Sequence, residues 1–262
     1  MESEQTAVSR ITRAAVKTAD KKEKETKKMA TTKKAETVTM KPIKIDHVKV
    51  RIVGDTPLIV HAWSEKAKRE MLEAQTGGKK KIKKHPSKMP FDDFARALYW
   101  LTEMPTEIIK DPGTQEDRDV VTEELFDEAI KNGARFGFPA NSFKQSANSA
   151  AYRMGWVSNQ MALRGSYFLN AEDGGYLVEI KGDKPMLRED MVRVGMGTAD
   201  IRYRPIFENW YCDMILEYNA SGSMSLDDIL NCINAGGYAV GVGEWRPERD
   251  GSFGRFHVEI VK

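Results

Sequence analysis

A glycine-studded loop constrains this chain more than any other stretch: Gly241-Val242-Gly243-Glu244-Trp245-Arg246-Pro247-Glu248-Arg249-Asp250-Gly251-Ser252-Phe253-Gly254-Arg255-Phe256. Just upstream, Leu226 to Ala235 reads as a helix closed by Gly236-Gly237, and Tyr238 to Val242 as a short extended segment. Just downstream, Phe256, Val258 and Ile260 recur at the strand period. Glycine carries no Cβ and tolerates positive φ, so such a loop lets a backbone or a ligand approach closely. Arginines placed in it can grip phosphate as bidentate forks. The same residues also suit an ordinary hairpin with Asp250-Gly251 as its turn and its arginines in solvent.

Folded structure is expected from Ile43 onward. Ile45 to Val53 alternates, with Val48, Val50 and Ile52 on one side, as a half-buried first strand does. Asp55-Thr56-Pro57 breaks it, and Ser64 is placed to cap a helix running to about Gln75, before a basic loop from Gly77 to Pro86. Phe91 to Leu101 has helical spacing, Asp111 to Asp117 reads as a surface loop, and Thr122 can cap a short helix over Glu123 to Lys131. Residues 64–135 are thus expected to be a largely helical insertion. Gly165 to Asn170 and Tyr176 to Ile180 read as two strands around an Asp173-Gly174-Gly175 hairpin turn. Residues 182–206, with Arg193, Arg202 and Arg204, read as an extended arm, and Trp210 to Tyr218 as a strong strand. Ser225 with Asp227 and Asp228 makes a good helix start.

Charge is distributed unevenly over the 262 residues. Residues 1–44 hold 12 Lys/Arg against 6 Asp/Glu, a net +6, and the remainder is −4. Residues 1–42 are polar and aperiodic, which predicts a disordered basic tail ahead of one domain spanning 43–262. A basic tail on a mildly acidic body is a pattern found in nucleic-acid binders. No apolar run approaches a membrane span and no signal peptide precedes the polar start, so a cytoplasmic protein without a membrane partner is expected. Cys212 and Cys232 form no disulfide framework, and His47, His61, His85 and His257 have no metal-ligand spacing. No metal, cofactor or nucleotide fingerprint is expected.

The second informative stretch runs from Phe136 to Gly155. Pro139 closes an extended segment, Asn141 or Ser142 can cap, and a small-residue helix follows to Met154. Its first-turn N–H groups, with Asn141, Ser142 and Lys144 beside them, could seat a phosphate. The order strand, helix, strand pair, strand, helix, strand is that of an α+β, ferredoxin-like or RRM-like antiparallel sheet with insertions.

Three features together resemble the RAMP superfamily, whose members include the RNA-coating backbone subunits of CRISPR effector complexes. They are Pro139-Ala140-Asn141-Ser142-Phe143-Lys144 at the helix start, the strand and helix from Trp210 to Ala235, and the terminal loop Gly241 to Phe256. The resemblance spans roughly 43–62 and 136–262. It departs from the family pattern at Ala140, Asn141 and Gln145, where glycines are usual, and in the acids Glu244, Glu248 and Asp250. It implies a modified RRM fold, single-stranded nucleic acid against the helix start and the loop, and subunits stacked in a filament. The residues it points to are Asn141, Ser142, Lys144, Arg202, Arg204, Arg246, Arg249 and Arg255 for phosphates, with Trp245, Phe253 or Tyr203 stacking on bases.

Some members of that superfamily cleave RNA, through an aspartate after the first strand or a histidine nearby, and Asp55 and His61 stand in that region. General acid–base catalysis needs a second group, which the sequence does not name. The expectation is a non-catalytic binder of single-stranded RNA or DNA, RNA favoured, in a homo-oligomer or larger complex. The alternatives are an endoribonuclease and a protein-interaction factor of a virus or mobile element.

Overall fold

The protein is described from a computed structural model, over residues 42–63, 68, 71, 72, 75, 76, 87–194 and 198–261. The tail, the basic loop at 77–86, most of the expected helix at 64–75, and Gly195 and Gly197 lie outside them. The chain divides between Pro42 and Ile43 into two units, Met1–Pro42 and Ile43–Lys262.

Strand β1 (Ile45–Gly54) leads through a turn into β2 (Leu58–Ile59). Helix α1 (Pro90–Arg96), β3 (Tyr99–Trp100), β4 (Glu107–Lys110), β5 (Asp117–Val120), α2 (Glu123–Lys131) and β6 (Phe136–Pro139) follow. Then come α3 (Asn141–Arg153), the single turn α4 (Met161–Arg164), β7 (Tyr167–Ala171), β8 (Leu177–Glu179) and β9 (Lys181–Gly182). The last part holds β10 (Met186–Val194), β11 (Thr198–Phe207), β12 (Trp210–Asn219), α5 (Leu226–Ala239), a 3-10 turn (Pro247–Arg249) and β13 (Phe256–Ile260). The architecture is mixed α+β with antiparallel sheets.

The alternation in β1 has its expected consequence: Val50 and Ile52 are fully buried, while Lys49 and Arg51 reach the other face. β1 pairs with β12 from Ile45↔Asn219 to Val53↔Tyr211 and with β13 from Val50↔Ile260 to Gly54↔Phe256. The spatial order is β13-β1-β12-β7. Ile52, Met214, Leu216, Phe143 and Ile233 share the core under α3 and α5. The opposite face of the sheet carries paired charges among Tyr211, Ile215 and Phe168. Arg51 and Lys181 both pair with Asp213, at 2.7 and 3.0 Å, Lys49 lies 2.6 Å from Glu172 and His47 3.4 Å from Glu217.

Several expectations need correction. Within 64–135, the described residues are not largely helical: α1 and α2 flank β3, β4 and β5. The helix expected to reach Leu101 stops at Arg96, because Tyr99 and Trp100 pair with Gly137 and Phe136, and the Trp100 indole donates to Ala95 O at 2.8 Å. Asp111 is buried rather than a surface-loop residue. Burial works against its ionised form, but the N–H groups of Ser87, Thr114 and Gly113 and the Arg118 guanidinium hold it well below the usual carboxylate range.

The Asp173-Gly174-Gly175 turn joins no hairpin either, since β7 pairs with β12 and β8 with β6. The arm at 182–206 is extended, as expected, and forms a paired ribbon, β10 against β11, from Met186↔Ile206 to Val194↔Thr198. Finally, α5 runs through Gly236-Gly237 to Ala239, instead of stopping there. A Cβ on Gly236 would sit 2.6 Å from Ala147 N, so the glycine is what lets α5 cross α3 closely. The Ser225 start forms a complete capping box with Asp228, and both cysteines are buried.

One electrostatic contact ties β13 to the turn after β1. His257 Nδ1 lies 2.6 Å from Asp55 Oδ1, and its Nε2 3.4 Å from Glu259 Oε1. Partial burial works against the imidazolium, but Asp55 and Glu259 outweigh it and raise the His257 pKa above 6.5. A raised folded-state pKa contributes stability that is fully present below the unfolded value and lost as pH rises through the folded one. Thermal melts from roughly pH 5 to pH 9 should show this loss on the alkaline limb, and His257→Gln should flatten it. Parallel pH profiles for the two proteins would contradict the assignment.

Candidate functional site

The Gly/Arg loop is not a plain hairpin. It folds back on itself and onto the turn after β1. Val242 N–H donates to Gly254 O at 2.9 Å, Gly254 N–H to Pro57 O at 2.8 Å, and Glu244 N–H to Ile59 O at 3.0 Å. Gly254 needs to be glycine twice over: its φ is +65°, and a Cβ would meet Val242 O at 1.8 Å. Trp245, at φ +52°, and Asp250, at +58°, take the left-handed region without being glycine. For a residue as bulky as Trp245 that is strained backbone.

Between this loop and α3 lies a cleft of about 340 Å³. One wall is a single face of the helix, Ser142, Gln145, Ser146 and Ser149, spaced i, i+3, i+4 and i+7. The other is the backbone from Val240 to Gly243, with Arg246 and Glu248. The helix begins in its first turn without a side-chain cap: Ala140 is the cap position and is itself helical, so Asn141 and Ser142 are helical residues rather than caps. Uncapped first-turn N–H groups and the positive end of the helix dipole both favour an anion there.

Ser146 is 3 % exposed, and its Oγ has no hydrogen-bond partner among the described residues. A buried hydroxyl left this way costs about 1–3 kcal/mol. At the loop wall, Arg246 forks onto Glu248 Oε2 through Nε at 3.0 Å and Nη2 at 2.6 Å, and donates from Nη1 to Gly243 O at 3.0 Å. Arg153, at the end of α3, donates to the other Glu248 oxygen. Arg246 first, and Arg153 with it, hold the Glu248 carboxyl below its ordinary value against the opposing effect of burial.

Of the residues singled out in the sequence, the cleft brings together Ser142 and Arg246. Asn141 is exposed at the start of α3. Lys144 does not line the cleft. It donates to Arg164 O at 2.7 Å and lies 4.0 Å over the Phe168 ring, and burial lowers its pKa. Arg202 is in an ion pair with Asp200 at 2.7 Å. Arg204 is buried between Asp190, at 3.4 Å, and Glu244, at 4.0 Å. Arg249 is exposed, Arg255 lies 5.0 Å over the Tyr238 ring, and Trp245 presents part of its indole to solvent beside Arg246. Phe253 lies under Arg188 at 4.8 Å, and Tyr203 packs on the core.

Sequence reasoning missed Gln145, Ser146, Ser149, Arg153 and the role of Glu248. The spacing of the small polar residues on one helix face was the available signal, and it reads equally as a close-packing face until the loop is placed against it. Elsewhere, His61 Nδ1 lies 3.6 Å from Glu244 Oε1. His61, then Arg204 and Arg246, lower the Glu244 pKa despite burial. Asp55 is taken up by His257.

Among the described residues, no helix is long and apolar enough to cross a membrane. No protein-family model matches the chain, and no curated protein matches it either.

Proposed function

We propose that this chain is a non-catalytic binder of single-stranded nucleic acid, RNA favoured, that seats backbone phosphate in the cleft between α3 and the Gly/Arg loop. The observation that carries the reading is the meeting of an uncapped helix start and the Arg246 guanidinium across one cavity. The helix start and the guanidinium each suit an oxyanion, and neither reads a base edge, as a sequence-tolerant binder requires. The Ser and Gln side chains both donate and accept, so they also suit a sugar hydroxyl. Trp245 is the aromatic surface nearest to Arg246 in sequence, and it can stack on a base.

The fold belongs to the same proposal. The succession β1, α3, β7, β12, α5, β13 with spatial order β13-β1-β12-β7 supports a ferredoxin-like or RRM-like sheet, with 64–135 as an insertion. An RRM stacks bases on the open face of its sheet. Here that face carries paired charges, and its Tyr211 and Phe168 rings already lie under Arg51, at 4.4 Å, and Lys144, at 4.0 Å, which favours the helix–loop side instead. Assembly with further copies or partners is the remaining part of the proposal, and the exposed Leu187, Met191 and Ile201 of the β10–β11 ribbon support it.

A gel-shift series with single-stranded RNA and DNA, with and without divalent metal, tests the reading. Retarded, intact strands support it, and no effect would favour a protein-interaction role. The nuclease reading has one specific observation in its favour, the Glu244 carboxylate beside His61, which is the second group that acid–base catalysis needs. Shortened strands that His61→Ala abolishes would establish it.

If Arg246 neutralises a phosphate, Arg246→Ala should weaken binding to all homopolymers alike. The slope of log affinity against log salt should fall by roughly 0.7. An unchanged slope, or loss of a single preferred sequence, would place Arg246 outside the contact.

A further inference from the structure

The cleft already contains an anion. Arg246 presents Nε and Nη2 to Glu248, which is the fork that a guanidinium offers a phosphate, and both side chains line the cavity. A phosphodiester approaching Arg246 therefore meets a carboxylate in its place. We infer that Glu248 is a built-in competitor, and that ligand phosphate enters the cleft by exchanging with the Glu248 carboxylate on Arg246. This inference rests on the phosphate-binding reading above.

The surroundings make the exchange feasible without remodelling the loop. Glu248 N–H donates to Val240 O at 3.2 Å, and Arg246 O accepts from Arg249 N–H at 2.8 Å and Gly251 N–H at 3.1 Å. The backbone on both sides of the carboxylate is thus anchored, and side-chain rotation alone can withdraw it. Arg153 supplies the place to withdraw to, since it already holds the second carboxylate oxygen and does not line the cleft. In the free protein Glu248 is shared by two arginines. With ligand bound, Arg153 keeps Glu248 and Arg246 takes the phosphate. No charge is left without a partner in either state, which keeps the cost of exchange low.

The arrangement makes two opposite predictions. Removing the competitor frees Arg246, so Glu248→Gln should bind more tightly. Removing the side that receives the displaced carboxylate leaves it on Arg246 alone, so Arg153→Ala should bind more weakly, although Arg153 does not line the cleft. In a Glu248→Gln background there is nothing left to receive, and Arg153→Ala should then have little effect. A role for Arg153 as a mere positive charge near the ligand would persist in that background.

The experiment is fluorescence anisotropy with a labelled oligouridylate of about 20 nucleotides, at several salt concentrations, on the full chain. It compares wild type, Glu248→Gln, Arg153→Ala and the double variant, each with a thermal melt to establish folding. The expected result is affinity raised about 10-fold or more in Glu248→Gln. Arg153→Ala should lose affinity by itself but not in the double variant. If wild type binds and Glu248→Gln binds with the same affinity, the competitor is overturned and the phosphate seat stands. Equal losses from Arg153→Ala in both backgrounds overturn the exchange in the same way. If neither wild type nor Glu248→Gln binds at low salt, the phosphate seat itself falls, and the competitor with it.

Discussion

Replacing Gly237 by alanine should cost the protein about 3 kcal/mol of folding stability, against the usual benefit of alanine in a helix. Gly237 lies inside α5, where intrinsic propensity favours alanine by about 1 kcal/mol. A Cβ there would fall 1.8 Å from Phe256 O, 2.7 Å from its carbonyl carbon and 2.9 Å from its ring. Two of these three atoms are backbone of β13, which is paired to β1 and cannot step aside without giving up the ladder. The clash must be relieved by moving α5 off the sheet, and the Phe256–Phe143 edge-to-face contact at 5.2 Å would open with it. In a domain of this size the melting temperature should drop by about 6–12 °C. Gly165→Ala is the control, because nothing lies within 4 Å of a Cβ at that position, and it should stay within about 0.5 kcal/mol of wild type. Equal melting temperatures for the two variants would mean that α5 and β13 are not packed as described.

Ser142→Glu should abolish binding while leaving the fold intact. Ser142 is the second residue of α3, lines the cleft and is only partly buried. A carboxylate in the first turn of a helix interacts favourably with the dipole, by about 0.3–1 kcal/mol, so folding has no reason to fail. The same carboxylate occupies the position proposed for the phosphate, takes up the first-turn N–H groups and repels an incoming anion. Loss of one charge-assisted contact, added to the repulsion, corresponds to about 100-fold or more in affinity. A neutral change at the same position, Ser142→Ala, should cost far less. A folded Ser142→Glu variant that binds like wild type would remove the start of α3 from the ligand.

Elements with strong local signals are legible in the sequence. The period-two pattern of β1, the capped start of α5 at Ser225 and the short helix from Glu123 to Lys131 each rest on neighbouring residues alone, and each is where the sequence puts it. What was not legible depends on partners distant in sequence. Gly236-Gly237 looks like a helix stop, because its alternative use, close approach of α3 and β13 to α5, involves residues about 90 and 19 positions away. Asp173-Gly174-Gly175 carries the chemistry of a hairpin turn, yet the strands it joins find better edges in two different sheets. Asp111 sits among loop-forming residues and becomes a buried hub only because Ser87 and Arg118 converge on it.

The candidate site follows the same rule. Ser142 and Arg246 stood out by motif, whereas Ser146 joined them only once the loop was placed against its helix face. Lys144 looked equally suited to phosphate. Two positions along α3 from Ser142, however, it faces about 200° around the helix, toward Phe168 and Arg164.

Backbone amide NMR during titration with oligouridylate tests the central claim most directly, because it locates the ligand instead of inferring it from affinity. The account predicts shifts concentrated on Ser142 to Ser149 and Val240 to Glu248, with the amides of His47, Lys49 and Arg51 on the sheet's open face left in place. Shifts centred on that sheet face, or none in either wall of the cleft at concentrations where the strand is bound, would contradict it.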